Sequence, residues 1–143
     1  MPPPGKLPLL IVEDDANTRF LVKVAAERSG YFEPVTQAID GQAALDALQS
    51  GDATQLPRLI ITDLYMPRVT GLELLRALKR DPFLRSIPVA ILTSSDAATD
   101  REQAMAEGAV SFVVKPYGVD ALMNVLTTLR DTCDETAGTA GRS

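Results

Sequence analysis

Four short apolar runs in this chain each end on a polar residue, and that arrangement restricts the fold more than any bulk property does. Leu7–Val12 runs into Glu13, Asp14 and Asp15; Leu59–Thr62 into Asp63; Val89–Leu92 into Thr93; Phe112–Val114 into Lys115. Runs this short, and almost wholly apolar, read as buried strands. Strands apolar on both sides must be covered on both faces, which points to a parallel sheet between two layers of helices.

Helical patterns fill the intervals. Phe20, Leu21, Val24 and Ala25 form a stripe that stops at Gly30, a C-cap residue. Tyr31–Ala38 is rich in strand formers and leads to Asp40-Gly41. Ala44, Leu45 and Leu48 carry the next helix, ended by Gly51. Thr70 and Glu73 fit a capping box that opens a helix with Leu72, Leu75 and Leu78 on one face. Asp81-Pro82 closes it, because the residue before a proline avoids helical backbone. Asp96–Glu107 is a further helix ended by Gly108, Val110–Val114 a fifth strand, and Val119, Leu122, Leu126 and Leu129 place the last helix against the sheet. The expected fold is α/β, a three-layer α/β/α sandwich.

At 143 residues, 45% of them hydrophobic, the chain can bury one core without metal or disulfide support. Residues 7–131 are expected to form the domain, with a Pro-rich flexible arm over 1–6 and a flexible tail over 132–143. The net charge of −5 argues against direct nucleic-acid binding. Cys133 is the only cysteine; it is expected to be an inert tail thiol, in a reducing compartment. No apolar stretch approaches the roughly 18 residues that a membrane span needs. A cytoplasmic location is the default expectation.

In an open parallel sheet, residues just past the carboxyl ends of adjacent strands converge on one edge. Glu13, Asp14 and Asp63 gathered there would repel one another, and a divalent cation is the natural neutraliser. Mg2+ suits such a set, because it is held by a few carboxylates plus a phosphate oxygen. A carboxylate can also accept a phosphoryl group. Lys115 supplies a compact positive charge and Thr93 a hydroxyl donor, the fixed partners that phosphoryl transfer requires. Singly each residue has a plainer role: Asp14 or Asp15 as a helix cap, Asp63 in a turn before Pro67, Thr93 as a cap and Lys115 as a solvated charge. Their joint occurrence at four strand ends favours the site.

Together these stretches resemble the receiver domain of two-component response regulators. The matching segments are Leu10-Ile11-Val12-Glu13-Asp14-Asp15, Asp63-Leu64-Tyr65-Met66-Pro67 with Gly71, Leu92-Thr93-Ser94, and Phe112-Val113-Val114-Lys115-Pro116. They stand in the family's order and spacing, from Leu7 to about Asp131. The resemblance implies a flavodoxin-like sheet in strand order 2-1-3-4-5 and a set of roles. Asp63 would be phosphorylated. Glu13, Asp14, Asp63 and the backbone carbonyl of Tyr65 would hold Mg2+ or Mn2+. Thr93 would be the switch hydroxyl, Lys115 the phosphate-binding lysine, and Phe112 the aromatic whose rotamer reports phosphorylation. Tyr65 and Ser95 occupy positions that tune hydrolysis in the family. A cis Lys115–Pro116 bond is implied as well. Glu13 stands where aspartate is commoner, and Phe112 lacks the hydroxyl of the frequent tyrosine.

So read, the chain is expected to be a single-domain response regulator and not an enzyme, catalysing only its own phosphorylation and dephosphorylation. A sensor histidine kinase would supply the phosphoryl group, since the chain has no histidine. The segment from Asp81 through Ser95 is similar to stand-alone receivers paired with phytochrome-type kinases. The exposed apolar residues of its first part suit a homodimer. The output would be binding to a downstream protein, or service as a phosphorelay intermediate or phosphate sink. A haloacid-dehalogenase-like phosphatase would want a second aspartate where Tyr65 stands, and no G-x-G-x-x-G follows the first strand.

Overall fold

A computed structural model describes residues 5–51 and 56–141, the side chains of 134–141 excepted. Five strands alternate with five helices: β1 Leu7–Val12, α1 Ala16–Ser29, β2 Phe32–Ala38, α2 Gly41–Ser50, β3 Leu59–Thr62, α3 Gly71–Arg80, β4 Val89–Thr93, α4 Ala98–Ala106, β5 Ser111–Val114 and α5 Val119–Gly141. All strand pairs are parallel and the order is β2-β1-β3-β4-β5. The α/β/α sandwich is as the sequence led one to expect, and the strand order is the one that the family resemblance implied.

Alternation along the strands divides the core in two. Leu10, Val12, Ile60, Val89 and Ile91 face α2, α3 and α4, where Ala44, Leu48, Leu74, Leu75, Leu78 and Ala104 meet them. Leu9, Ile11, Leu59, Ile61, Ala90 and Leu92 face α1 and α5, against Val22, Ala25, Ala26, Leu122, Leu126 and Leu129. Full burial of each such leucine or isoleucine contributes about 1.5–3 kcal/mol.

Two helix faces differ from the expected ones. On α1 the buried residues are Val22, Ala25 and Ala26, while Phe20 and Leu21 are 62% and 40% exposed. The large apolar side chains misled the phase: small alanines let the helix approach the sheet, and they set the buried stripe. On α3 the buried positions are Gly71, Leu74, Leu75 and Leu78, spaced i, i+3, i+4, i+7. Leu72 is only half-buried at the margin of that cluster.

The caps follow the sequence closely. Asp15 caps α1 through the Thr18 N–H at 2.8 Å, and Gly30 ends it in the left-handed region at φ 79°. Thr70 and Glu73 form the expected capping box on α3. The cis bond expected at Lys115–Pro116 is not present; Glu33–Pro34 is the cis bond among the described residues. Pro34 lies on edge strand β2, beside the register shift opposite Leu7 and Leu9. At the other end α5 continues past Thr132 to Gly141, and Cys133 is buried in the α1–α5 layer instead of lying in a frayed tail. Of the N-terminal arm, residues 1–4 lie outside the described residues.

Candidate functional site

The sheet ladder continues past the strand ends and brings the site residues together. The Glu13 N–H donates to the Ala38 carbonyl at 3.1 Å, the Asp63 N–H to Val12 at 3.1 Å, and the Lys115 N–H to Thr93 at 2.7 Å. Each functional residue is thereby stitched to its neighbouring strand. Carboxylate oxygens of Glu13, Asp14 and Asp63 lie within 4.8 Å of one another. Glu13 and Asp63 are buried, whereas Asp14 is exposed.

Lys115 reaches in from β5. Its ammonium donates to Glu13 Oε1 at 2.6 Å and to Asp63 Oδ2 at 3.1 Å. The other Asp63 oxygen, Oδ1, accepts the Leu64 N–H at 2.7 Å. Burial pushes the Glu13 carboxyl up to about 7, opposed by its bond to Lys115 and reinforced by the charge of Asp63. Lys115 is pulled down by burial, but the Glu13 and Asp63 carboxylates outweigh that and hold it above its ordinary value. Three hard carboxylates facing one ammonium form an oxygen-rich, electron-rich pocket, and the donor set suits a hard divalent cation.

Close packing fixes the backbone behind Asp63. The Gly71 N–H donates to the Leu64 carbonyl at 2.8 Å. A Cβ on Gly71 would lie 2.1 Å from the Asp63 carbonyl oxygen. Only glycine admits α3 so near the loop that follows Asp63. Further along that loop, Arg68 adopts the left-handed region at φ 67°. Its Nε donates to Asp40 Oδ2 at 3.1 Å and its Nη2 donates to the same oxygen. Asp40 also caps α2 through the Ala43 N–H.

The remaining expected residues lie on β4 and β5 and in the loops after β3 and β4. Thr93 is fully buried at the end of β4, and its hydroxyl accepts the Ser95 N–H at 3.3 Å. Phe112 points inward, buried in the cluster that contains Ile91, Ala104 and Ala109. Tyr65 and Ser95 both donate to Asp100 Oδ2 of α4, each at 2.6 Å. The Ser95 and Tyr65 hydroxyls hold the Asp100 carboxyl below the usual range, and the same bond raises the Tyr65 phenol. Sequence reasoning missed Asp100 and the Asp40–Arg68 pair. Asp100 had a signal, an acid in the first turn of a helix five residues past Ser95; Arg68 had none.

Residues 9–127 match the family model described as response regulator receiver domain. The chain is 34% identical over 125 residues to the probable methanogenesis regulatory protein FilR2 of Methanothrix harundinacea (strain 6Ac), covering 86% of this chain and 81% of that one. Several other relatives are longer: the chain covers 49% of SphR of Synechococcus elongatus, an alkaline phosphatase synthesis transcriptional regulatory protein. Among solved structures, the phosphorylated cyanobacterial phytochrome response regulator RcpA superposes with a TM-score of 0.77 at 26% identity, over 88% of this chain and 92% of that one. The Mn2+-bound form of response regulator Rcp1 gives 0.74 at 28% identity, over 86% and 91%. Among the described residues, no helix is long and apolar enough to cross a membrane.

Proposed function

Because this chain belongs to the response regulator receiver domain family, we propose that Asp63 accepts a phosphoryl group from the phosphohistidine of a sensor histidine kinase. The observation that carries this reading is the Lys115 ammonium lodged between Glu13 and Asp63 at the convergence of three carboxylates. An oxygen of Asp63 bonds to phosphorus while the phosphorus–nitrogen bond breaks, its electron pair returning to the imidazole. Lys115, already within hydrogen-bond distance of Asp63, would stabilise charge on the phosphoryl oxygens.

Glu13, Asp14, Asp63 and the Tyr65 carbonyl would hold Mg2+ or Mn2+, which supplies further charge neutralisation at the phosphoryl oxygens. Manganese in Rcp1 supports that ion class. The Thr93 hydroxyl, now engaged by the Ser95 N–H, would turn toward the phosphoryl group, and Phe112 would follow into the vacated space. Such a local charge event biases the α4–β5–α5 surface between two arrangements. That surface would engage a downstream protein. The likeness to RcpA supports a phytochrome-type kinase as donor.

The test is labelling by a small phosphodonor such as phosphoramidate with Mg2+. Wild type takes one label, and chelation of the metal abolishes it. Label retained by Asp63→Asn overturns the assignment.

A further inference from the structure

Successive residues of an extended strand point to opposite faces of the sheet. Glu13 and Asp14 are successive, yet each brings a carboxylate oxygen within 4.8 Å of the other's and of one from Asp63. The chain leaves the extended path to do so: β1 ends at Val12 and the backbone bends at Asp14. That bend removes the Glu13 carbonyl from the sheet ladder. The Glu13 N–H still bonds Ala38, but no backbone N–H among the described residues donates to the Glu13 carbonyl oxygen. A half-buried carbonyl needs a donor. Arg19 supplies it, its Nη1 donating to that oxygen at 2.8 Å from six residues along the chain.

Arg19 is the fourth residue of α1, and helical side chains lean toward the N-terminus, which lets it reach back. That end of a helix favours anions, so the dipole gives an arginine no reason to fold over it. The same turn of α1 meets the acids again at Asp15, which accepts the Thr18 N–H at 2.8 Å and the Thr18 hydroxyl at 2.7 Å. The Asp15 N–H in turn donates to Glu13 Oε2 at 3.3 Å.

We propose that Arg19 is a positioning residue for divalent-cation binding: by holding the Glu13 carbonyl, it fixes the bend that turns two neighbouring carboxylates toward one ion. The inference rests on Glu13, Asp14 and Asp63 being the cation's ligands. The Arg19 bond is to a carbonyl and not to a carboxylate, so it acts through the backbone. The role has a signature in its sign. Arg19 is itself a cation, and its charge opposes a second cation nearby. Charge alone predicts that removing Arg19 tightens metal binding, whereas loss of positioning predicts that it weakens.

The experiment titrates the full chain with Mn2+ and follows loss of the free-ion signal by electron paramagnetic resonance. Arg19→Met keeps most of the aliphatic stem and removes donor and charge together. It should weaken binding about tenfold, as losses of groups that orient metal ligands do. Arg19→Lys retains the charge and a donor of nearly the same reach, and should stay within about threefold of wild type. Ser29→Ala removes a bond to the Ala26 carbonyl at the far end of the same helix and should bind as wild type does. Arg19→Met as tight as wild type or tighter, Arg19→Lys no better than Arg19→Met, or an equal loss in Ser29→Ala would each overturn the proposal. Should Arg19→Met fail to fold, Arg19→Ala is read in its place with the same expectation. Wild type that leaves the manganese signal unchanged refutes the cation assignment itself, and this inference with it.

Discussion

The Lys115 ammonium lies 2.6 Å from Glu13, tying the end of β5 to the end of β1 across the two strands between them. Glu13 is nearly inaccessible and Lys115 mostly so, with side chains 4% and 20% exposed. Replacing Lys115 with alanine leaves the Glu13 and Asp63 carboxylates side by side without their cation. We expect a loss of about 1–3 kcal/mol in urea unfolding without divalent ions, the cost of stranding partly buried charges. Mg2+ should then stabilise Lys115→Ala more than it stabilises wild type. Equal stabilisation of both would mean that lysine and metal do not share one electrostatic role.

Gly71 sets a steric limit on the loop that follows Asp63. Its missing Cβ would stand 2.1 Å from the Asp63 carbonyl oxygen and 2.9 Å from Leu64 Cα, both backbone atoms. Gly71→Ala must therefore push α3 away or move Asp63. The expected cost is about 1–3 kcal/mol in denaturant unfolding, as for other overpacked sites. Labelling by phosphodonor should slow in the same variant, because Asp63 shifts relative to Lys115. Full stability together with full labelling would contradict this account.

Asp40 gives the fold a defined acid sensitivity. The Ala43 N–H, and then the Arg68 guanidinium, hold its carboxyl below the ordinary value of 3.8. Folded Asp40 thus binds a proton more weakly than the unfolded chain does. Its stabilising contribution is complete above that ordinary value and is lost as pH falls through the lowered one. Asparagine at 40 keeps a helix cap but not the charge. The gap in urea midpoint between wild type and Asp40→Asn should stay constant above about pH 5 and close in stronger acid. A gap that widened on acidification would reverse the sign and refute the linkage.

The buried face of α3 can be tested by a pair of truncations. Leu74 is fully buried and Leu72 only half-buried at the edge of the same cluster. Leu74→Ala should cost about 2–5 kcal/mol, and Leu72→Ala roughly 1 kcal/mol, by equilibrium unfolding. Equal costs would restore the face that places Leu72, Leu75 and Leu78 together.

That pair also marks where the sequence was legible and where it was not. Strand positions were readable because apolar runs such as Leu59–Ile61 admit one interpretation, cover on both faces, and their polar ends then fall on one edge. The capping box at Thr70 and Glu73 was readable because its chemistry is local. Helix phase was not: Val22, Ala25 and Ala26 are buried for their small volume, which matters only once a neighbouring layer exists. The Asp100 tie escaped notice for a related reason. It joins residues 35 positions apart through hydroxyls that have no periodic signature. Arg68 in a left-handed turn is rarer still, being held there by a partner 28 positions away.

The division of the core by the sheet has a last consequence. Leu122, Leu126 and Leu129 join α5 to α1 on one side, while on the other α4 buries one residue, Ala104, and is otherwise held by polar contacts. Displacing a helix with so little apolar contact opens almost no void, whereas shifting α5 would empty a row of leucine sockets. Of the two flanks, the one that bears α4 is therefore where a displacement would cost the least apolar burial.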